Sequence, residues 1–186
     1  AGGSLILRIN NTGGAVAEEV AIGTDTLQIV FSESQREVFA VSLTGASLNI
    51  ADVILLEGSL SFVDQNGRQV AAGADLLLFV GEGEPTLEDG SINPAARGIL
   101  ISSATVGLVQ EESDGETLYA LEAVGTIEVI GIDDLTVSGE MTVRVNSFSS
   151  SSAIEEPITI GATGDEVTVM FSADEMASDG VPFSSL

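Results

Sequence analysis

The stretch LEAVGTIEVIGIDDLTVSGEMTVRV, from Leu121 to Val145, alternates between two kinds of side chain. Its odd positions are almost all apolar or glycine, and its even positions carry nearly all of its acids, its threonines and its arginine. A period of two is typical of a β-strand that has one buried and one solvated face. The stretch therefore predicts two strands, with a turn at Asp133-Asp134.

The same alternation extends over most of the chain, and no segment has a convincing helical period. Asn66-Gly67 and Asp114-Gly115 stand between apolar runs and are the dipeptides that favour type I′ hairpin turns. Because most connections are short, neighbouring strands should pair antiparallel. We predict an all-β, mainly antiparallel meander with strands at 4–11, 19–31, 37–50, 53–64, 68–80, 99–110, 117–130, 134–146, 154–161 and 166–171.

Glycines recur inside the predicted strands, at positions that come nearly opposite one another when the hairpins are drawn. Glycine inside a strand is costly unless it permits a bend, a bulge or a close approach of backbones. A row of them predicts long, bent strands whose sheet folds over to give two packed layers, an elongated β-sandwich or solenoid-like repeat unit. The alternative is a set of isolated bulges that happen to align. The glycines are Gly45, Gly58, Gly73, Gly125 and Gly139.

The composition excludes several classes of function. The 186 residues contain 29 acids and five bases, all arginine, for a net charge of −24, and they contain neither cysteine nor histidine. Disulfides, thiolate metal sites and His-dependent triads are therefore excluded. The negative charge predicts no binding to nucleic acid. Aromatic residues make up only 4% of the chain, too few for interfacial girdles, so we also predict no membrane insertion.

A segment near the start of the chain recurs near its end. LRINNTGGAVAEEVAI, from Leu7 to Ile22, resembles VRVNSFSSSSAIEEPITI, from Val143 to Ile160. The chain therefore contains about one and a third copies of a unit near 140 residues. We assign residues 1–36 to the closing strands of one unit and 37–173 to a full unit. Residues 174–186 are the start of the next unit or a tail, and the full unit contains the similar strand pairs 38–62 and 118–143.

The repeated segment carries one arginine and a pair of glutamates in each copy. Because the chain has so few bases, the recurrence of an arginine at the same place in both copies predicts a repeated ion pair or an arginine–carbonyl anchor. We interpret these residues as structural fasteners. They are Arg8, Glu18 and Glu19 in the first copy and Arg144, Glu155 and Glu156 in the second.

Acidic residues also cluster at predicted turns, where calcium is the candidate cation because it prefers carboxylate oxygens. No stretch has the spacing of an EF-hand loop, and solvated hairpin tips are the alternative. Adjacent acids on a strand point to opposite faces, so they do not form a glycosidase dyad, and we predict no enzymatic activity. The candidate calcium ligands are Glu111, Glu112, Asp114, Asp133 and Asp134.

Three segments together resemble a known class of protein. INPAARGILISSATVGLV, LYALEAVGTIEVIGIDDLTVSGEMTVRVN and the following Glu-Glu strand are similar to the tandem β-rich repeats of very large secreted or cell-surface proteins of bacteria, the adhesin-like group. The resemblance covers nearly the whole chain. It implies a bacterial extracellular or cell-surface location and a structural or adhesive role, and it assigns no functional residue.

These observations predict a structural repeat module of an extracellular fibre, filament or adhesin stalk. Such modules would assemble end to end through strand edges, and the partners would be neighbouring copies of the same repeat. The alternative is a calcium-dependent adhesion module that binds cell-surface or matrix carbohydrate. Apart from calcium, the sequence predicts no cofactor.

Overall fold

The computed structural model of the protein describes residues 3–132, 134–149, 153–160, 165–178 and 181–186. It contains twelve strands and two short 3₁₀ turns, at Glu33–Gln35 and Ala173–Glu175. The strands are β1 (Ser4–Asn10), β2 (Val16–Ile22), β3 (Asp25–Phe31), β4 (Val38–Ile50), β5 (Ile54–Gln65), β6 (Arg68–Glu82), β7 (Arg97–Ser113), β8 (Glu116–Ile130), β9 (Val137–Asn146), β10 (Ile154–Ile160), β11 (Asp165–Phe171) and β12 (Phe183–Ser185).

Eight of these strands form one antiparallel sheet, in the order β1-β4-β5-β6-β7-β8-β9-β12. The remaining four form two separate hairpins, β2–β3 and β10–β11. The predicted all-β, mainly antiparallel fold is therefore confirmed. No helix among the described residues is long and apolar enough to cross a membrane.

The sequence prediction was wrong at one strand and missed another. The segment predicted as a single strand, 19–31, is part of the hairpin β2–β3, which turns at Gly23-Thr24. Gly23 has a φ of 63°, a left-handed conformation that reverses the chain and that glycine adopts without strain. β12 was not predicted because a strand of three residues is too short to show an alternation of apolar and polar side chains.

A line of irregular residues crosses four neighbouring strands of the sheet. The pairing register shifts between each neighbouring pair of strands from β4 to β8, near Gly45, Gly58, Asp75 and Ser103, all of which have positive φ. The predicted row of bends is therefore present on these strands, but only two of its residues are the glycines expected. The other two are supplied by an aspartate and a serine, and the row does not extend to β9, which pairs with β8 without a register shift.

The hairpin β10–β11 forms a second layer over one face of the sheet, which we call the covered face. Ile158, Ile160, Val167, Val169 and Phe171 of the hairpin are buried there. They pack against three sheet residues, one each from β6, β7 and β8: Ala72, Val109 and Ala120.

A loop covers the other end of the same face. The chain between β6 and β7 folds back so that Ala96 packs against Phe79, Leu100 and Ile130, all of which are buried. Asn93 holds this loop by donating from its side chain to the carbonyl of Glu84, at 2.9 Å. Both clusters of buried side chains in the described structure therefore lie on the covered face.

The opposite face, which we call the apolar face, carries apolar side chains in successive cross-strand rows. Residues that pair directly across strands lie on one face, so each row can be read from the pairing register. The irregular line divides the face into two parts. The part that includes β1 contains the row Leu7, Val41, Phe62, Ala71, Leu108 and Leu121. The part on the other side of the line contains the row Leu48, Leu56, Leu78, Ile101 and Ile127.

The predicted unit boundaries, 36/37 and 173/174, lie at or beside the two 3₁₀ turns. The two segments predicted to resemble each other, 38–62 and 118–143, form the antiparallel pairs β4–β5 and β8–β9. The first pair contains a register shift and the second does not.

Candidate functional site

The candidate site is a structural junction that occurs twice. In the first junction, residues 4–44, β1 is followed by the hairpin β2–β3, a 3₁₀ turn and then β4, which pairs antiparallel with β1. In the second junction, residues 137–185, β9 is followed by the hairpin β10–β11, a 3₁₀ turn and then β12, which pairs antiparallel with β9. The order of elements and the pairing are the same in both.

The two hairpins have matching register, which fixes the residue correspondence. Val20 pairs with Leu27 in the first hairpin, and Ile158 pairs with Val167 in the second. Glu18 therefore corresponds to Glu156, whereas the sequence comparison had aligned it with Glu155. The sequence alignment was wrong by one residue because it matched the glutamates. A shift of one residue in a strand moves every side chain to the opposite face. The correspondence seen in the structure instead places the apolar residues of both hairpins on the same face.

An asparagine ties each junction together. In the first, Asn10 Nδ2 donates to the carbonyl of Gln35 at 2.8 Å, and its Oδ1 accepts the N–H of Thr12 at 3.1 Å. In the second, Asn146 Nδ2 donates to the carbonyl of Glu175 at 2.8 Å, and its Oδ1 accepts from Phe148 N at 2.9 Å. Both asparagines are buried, so these bonds satisfy backbone groups that would otherwise lose water.

Sequence reasoning did not select these asparagines. They occur in both copies of the repeated segment, as the last residue of the strand that carries the arginine. Their recurrence at the same spacing from that arginine was the available signal. A short polar residue at the end of a strand reads as an ordinary turn former, so the signal was not used.

The repeated arginine anchors the hairpin to the sheet. Arg8 Nη2 donates to the carbonyl of Val30 at 2.9 Å, and its guanidinium lies over the ring of Phe31, 4.9 Å from the centroid. Arg144 donates to the carbonyl of Met170 and lies over Phe171, 4.6 Å from its centroid. Of the two roles that the sequence left open, the arginine–carbonyl anchor is the one present in both copies.

Among the described residues, the repeated arginines and glutamates form no ion pairs with one another. Arg144 pairs with Glu122 on β8, at 3.7 Å, and with Glu175 in the 3₁₀ turn. Among the described residues Arg8 has no carboxylate within ion-pair distance. Glu156 pairs with Arg68 of β6 at 2.7 Å, which ties the second hairpin to the sheet.

The other glutamates of the predicted pairs lie on the outside of the hairpins. Glu18, Glu19 and Glu155 are exposed, and Glu19 accepts a hydrogen bond from Gln28 across its own hairpin, at 3.0 Å. The residue pattern misled the prediction because neighbouring residues on a strand point to opposite faces, so only one glutamate of each pair can approach the sheet.

Each junction ends in a 3₁₀ turn capped by its third residue. The side chain of Gln35 accepts the backbone N–H of Ser32 at 3.2 Å, and Glu175 accepts that of Ser172 at 2.9 Å. This hydrogen bond, followed by the bond from Arg144, lowers the pKa of Glu175 below its ordinary value of 4.5. The two caps have the same geometry, but only the second can be titrated.

We therefore predict that the second junction is acid-sensitive. A carboxyl whose folded pKa is lowered stabilises the fold above its unfolded pKa, and that contribution is lost as the pH falls through the folded value. Glu175→Gln, which copies the first junction, should unfold at lower urea than the wild type at neutral pH. The difference should shrink as the pH falls below the ordinary carboxyl range and Glu175 takes up its proton. A difference that does not change with pH would contradict this assignment.

The candidate calcium ligands lie near two separate turns. Glu111 pairs with Arg68 at 3.5 Å, while Glu112 and Asp114 are exposed at the β7–β8 turn. Asp134 is exposed near the turn after β8, and Asp133 lies outside the described residues. Among the residues that the structure describes, no group of three or more carboxylates is arranged to hold a metal ion. Calcium binding stays a prediction.

Comparison with known proteins found no matching family model, no matching curated protein and no matching solved structure.

Proposed function

We propose that the chain is a structural repeat module of an extracellular bacterial fibre or stalk, in which one sheet continues from unit to unit. The observation that supports this proposal is the equivalence of the two junctions. β9 has the same position in the second junction as β1 has in the first. A unit that begins at β1 is therefore equivalent to one that begins at β9, and the sheet can continue through that strand.

The open edges of the sheet support this proposal. β1 pairs only with β4 and β12 pairs only with β9, so each presents one free edge in the described structure. Unpaired backbone groups along an edge strand are a ready template for another strand. In the proposed array, β1 of one copy pairs with β8 of the copy before it, as β9 pairs with β8 here.

A tandem chain tests the proposal. Residues 1–136 would be placed before the full 186-residue chain, so that the second β1 takes the place of β9 in the first copy. Each added copy then contributes six strands to the sheet, and six strands at about 4.8 Å each lengthen it by about 29 Å. We expect the longest dimension from small-angle scattering to grow by up to about that amount, since the single sheet is already longer along its strands than across them. The melting temperature should rise as well, because each new interface adds stability.

The control chain joins two complete copies through a flexible Gly/Ser linker, which leaves each β1 as an edge. It should melt like the single chain and scatter as two bodies. If the tandem chain behaves like this control, units do not share a sheet and the proposal is contradicted.

A further inference from the structure

The two hairpins carry equivalent apolar side chains, but only one hairpin is covered. In the second, Ile158, Ile160 and Val167 are 2%, 1% and 7% exposed. Their counterparts in the first, Val20, Ile22 and Leu27, are 43%, 58% and 50% exposed. The sequence has kept the same face apolar in both copies, so the first hairpin has the side chains for a contact that this chain does not supply.

The second hairpin shows what that contact looks like. It leaves β9 and folds back over strands that precede it in the chain, with β10 and β11 lying against β6 and β7. The receiving surface includes the small residues Ala72, Gly107 and Ala120, which let the hairpin come close. At Gly107 a Cβ would stand only 2.4 Å from Val169 Cγ2, so even one carbon would push the hairpin away.

The first hairpin is fixed to its own sheet by the same asparagine and arginine bonds, so we expect it to lean in the equivalent direction. That direction is across β1, towards strands that would precede it. In this structure β1 is the edge of the sheet and no described strand lies beyond it. Charge does not oppose a partner there, since the equivalent contact in the second copy forms within the same acidic chain.

We propose that the hairpin β2–β3 docks on the covered face of a preceding copy of the unit, over the strands equivalent to β6–β8. This inference rests on the proposed continuous sheet, because pairing of β1 with that copy brings the receiving surface under the hairpin. Val20, Ile22 and Leu27 take the places of Ile158, Ile160 and Val167. Two contacts then hold each joint between units: the hairpin packed on the covered face, and the backbone pairing between neighbouring strand edges.

Cysteine labelling in the tandem chain tests this docking, since the natural chain has no cysteine. A single Leu27→Cys change would be made in either the first or the second copy. In the first copy the thiol should react with maleimide at the rate of an exposed group. In the second copy it should react at least about 30-fold more slowly, because labelling then requires the docked hairpin to open.

The matched control is Val30→Cys, on the outer side of the hairpin. Its counterpart Met170 stays exposed although the second hairpin is docked, so this thiol should react rapidly in both copies. Because Leu27 is exposed in the single chain, its replacement should not impair folding.

Two outcomes separate this inference from the proposed function. If the tandem chain is longer and more stable, but Leu27→Cys reacts equally fast in both copies, the sheets join without docking and this inference alone is overturned. If Leu27→Cys reacts equally fast in both copies and the tandem chain behaves as two separate bodies, this inference and the proposed function are both overturned.

A second surface carries an independent inference. The apolar face contains no charged residue in the rows through Phe62 and through Leu56, although the chain has 29 acids. Many of its side chains are exposed, including Leu48 and Ile99. An apolar groove of about 410 Å³ lies on it, lined by residues such as Leu43, Leu60 and Leu76.

We infer that this face packs against the same face of a second copy, as two sheets do in a sandwich. Six strands spaced by about 4.8 Å, each about ten residues long at about 3.3 Å, present roughly 1,000 Å². That exceeds the roughly 800 Å² per partner of a standard stable interface. A second copy offers the same uncharged apolar surface, while acids remain at the periphery.

Sedimentation of the single chain tests this pairing. We expect dimers whose dissociation constant falls as salt screens the net charge of −24. Leu48→Glu with Ile99→Glu should weaken the dimer at least about 100-fold, since the two charges would be buried at the contact. The matched control is Ser138→Glu with Thr142→Glu, which adds the same charge on the covered face. This variant should keep most of the affinity of the dimer.

A chain that stays monomeric up to about 1 mM at high salt would overturn this second inference, because even weak pairing would be visible there. Binding of the monomer to neutral lipid vesicles would overturn it too, since the face would then have a different partner.

Discussion

Replacing Ile158 by aspartate should destabilise the protein by about 4 kcal/mol, a large part of the stability of a typical domain. Ile158 is almost fully buried between the second hairpin and the sheet. The change removes its apolar burial, worth roughly 2–3 kcal/mol, and places a carboxylate where it has no partner. Urea unfolding followed by far-UV circular dichroism is the suitable measurement, since the chain contains no tryptophan.

The repeat supplies the matched control. Val20→Asp makes nearly the same change at the equivalent position of the first hairpin, where the side chain is exposed. In the single chain it should cost no more than about 0.5 kcal/mol. In the second copy of the tandem chain it should become costly, because the hairpin would be docked. Equal effects of Ile158→Asp and Val20→Asp in the single chain would show that the second hairpin is not part of the core.

Gly131→Ala should destabilise the protein by about 3 kcal/mol. Gly131, directly after β8, has a φ of 71°, and a Cβ there would stand 2.0 Å from the carbonyl oxygen of Ala96. Ala96 is fully buried in the loop that covers Phe79 and Leu100. The added carbon would therefore force apart two backbone segments, neither of which can turn away as a flexible side chain would.

Gly23→Ala separates this clash from the backbone preference of glycine. Gly23 has a similar φ, 63°, but a Cβ there would meet no atom within 4 Å. Its substitution should cost only the left-handed strain, about 1 kcal/mol. The difference between the two unfolding free energies measures the close approach at Ala96. If the two variants lose equal stability, the loop does not lie against Gly131 as described.

The alternation of apolar and polar residues was enough to predict most strands and their antiparallel pairing, as Leu121 to Val145 illustrates. It was not enough to place the turn at Gly23, since glycine within an apolar run reads equally well as a strand interior or a reversal. It also did not show that the irregular line passes through Asp75 and Ser103. Both residues have positive φ, which is uncommon outside glycine, so a search for glycines within strands could not identify them.

Within the junction, the arginines could be found because bases are so scarce that their recurrence stood out. Their partners could not, because a one-residue shift of the hairpin decides which glutamate faces the sheet. Nor could the sequence show that Val20 is exposed while Ile158 is buried. The two hairpins are similar in residue type, and what differs is whether a sheet lies beneath them.

The second hairpin lies over β6 and β7, which precede it in the chain. If every hairpin of the proposed array does the same, the array has a polarity and its two ends are chemically different. The leading end presents a bare apolar hairpin and an unpaired β1, while the trailing sheet is already roofed by its own hairpin. Both ends keep an unpaired strand edge, but only the leading end also exposes an apolar hairpin, so the two ends of an array would need different caps.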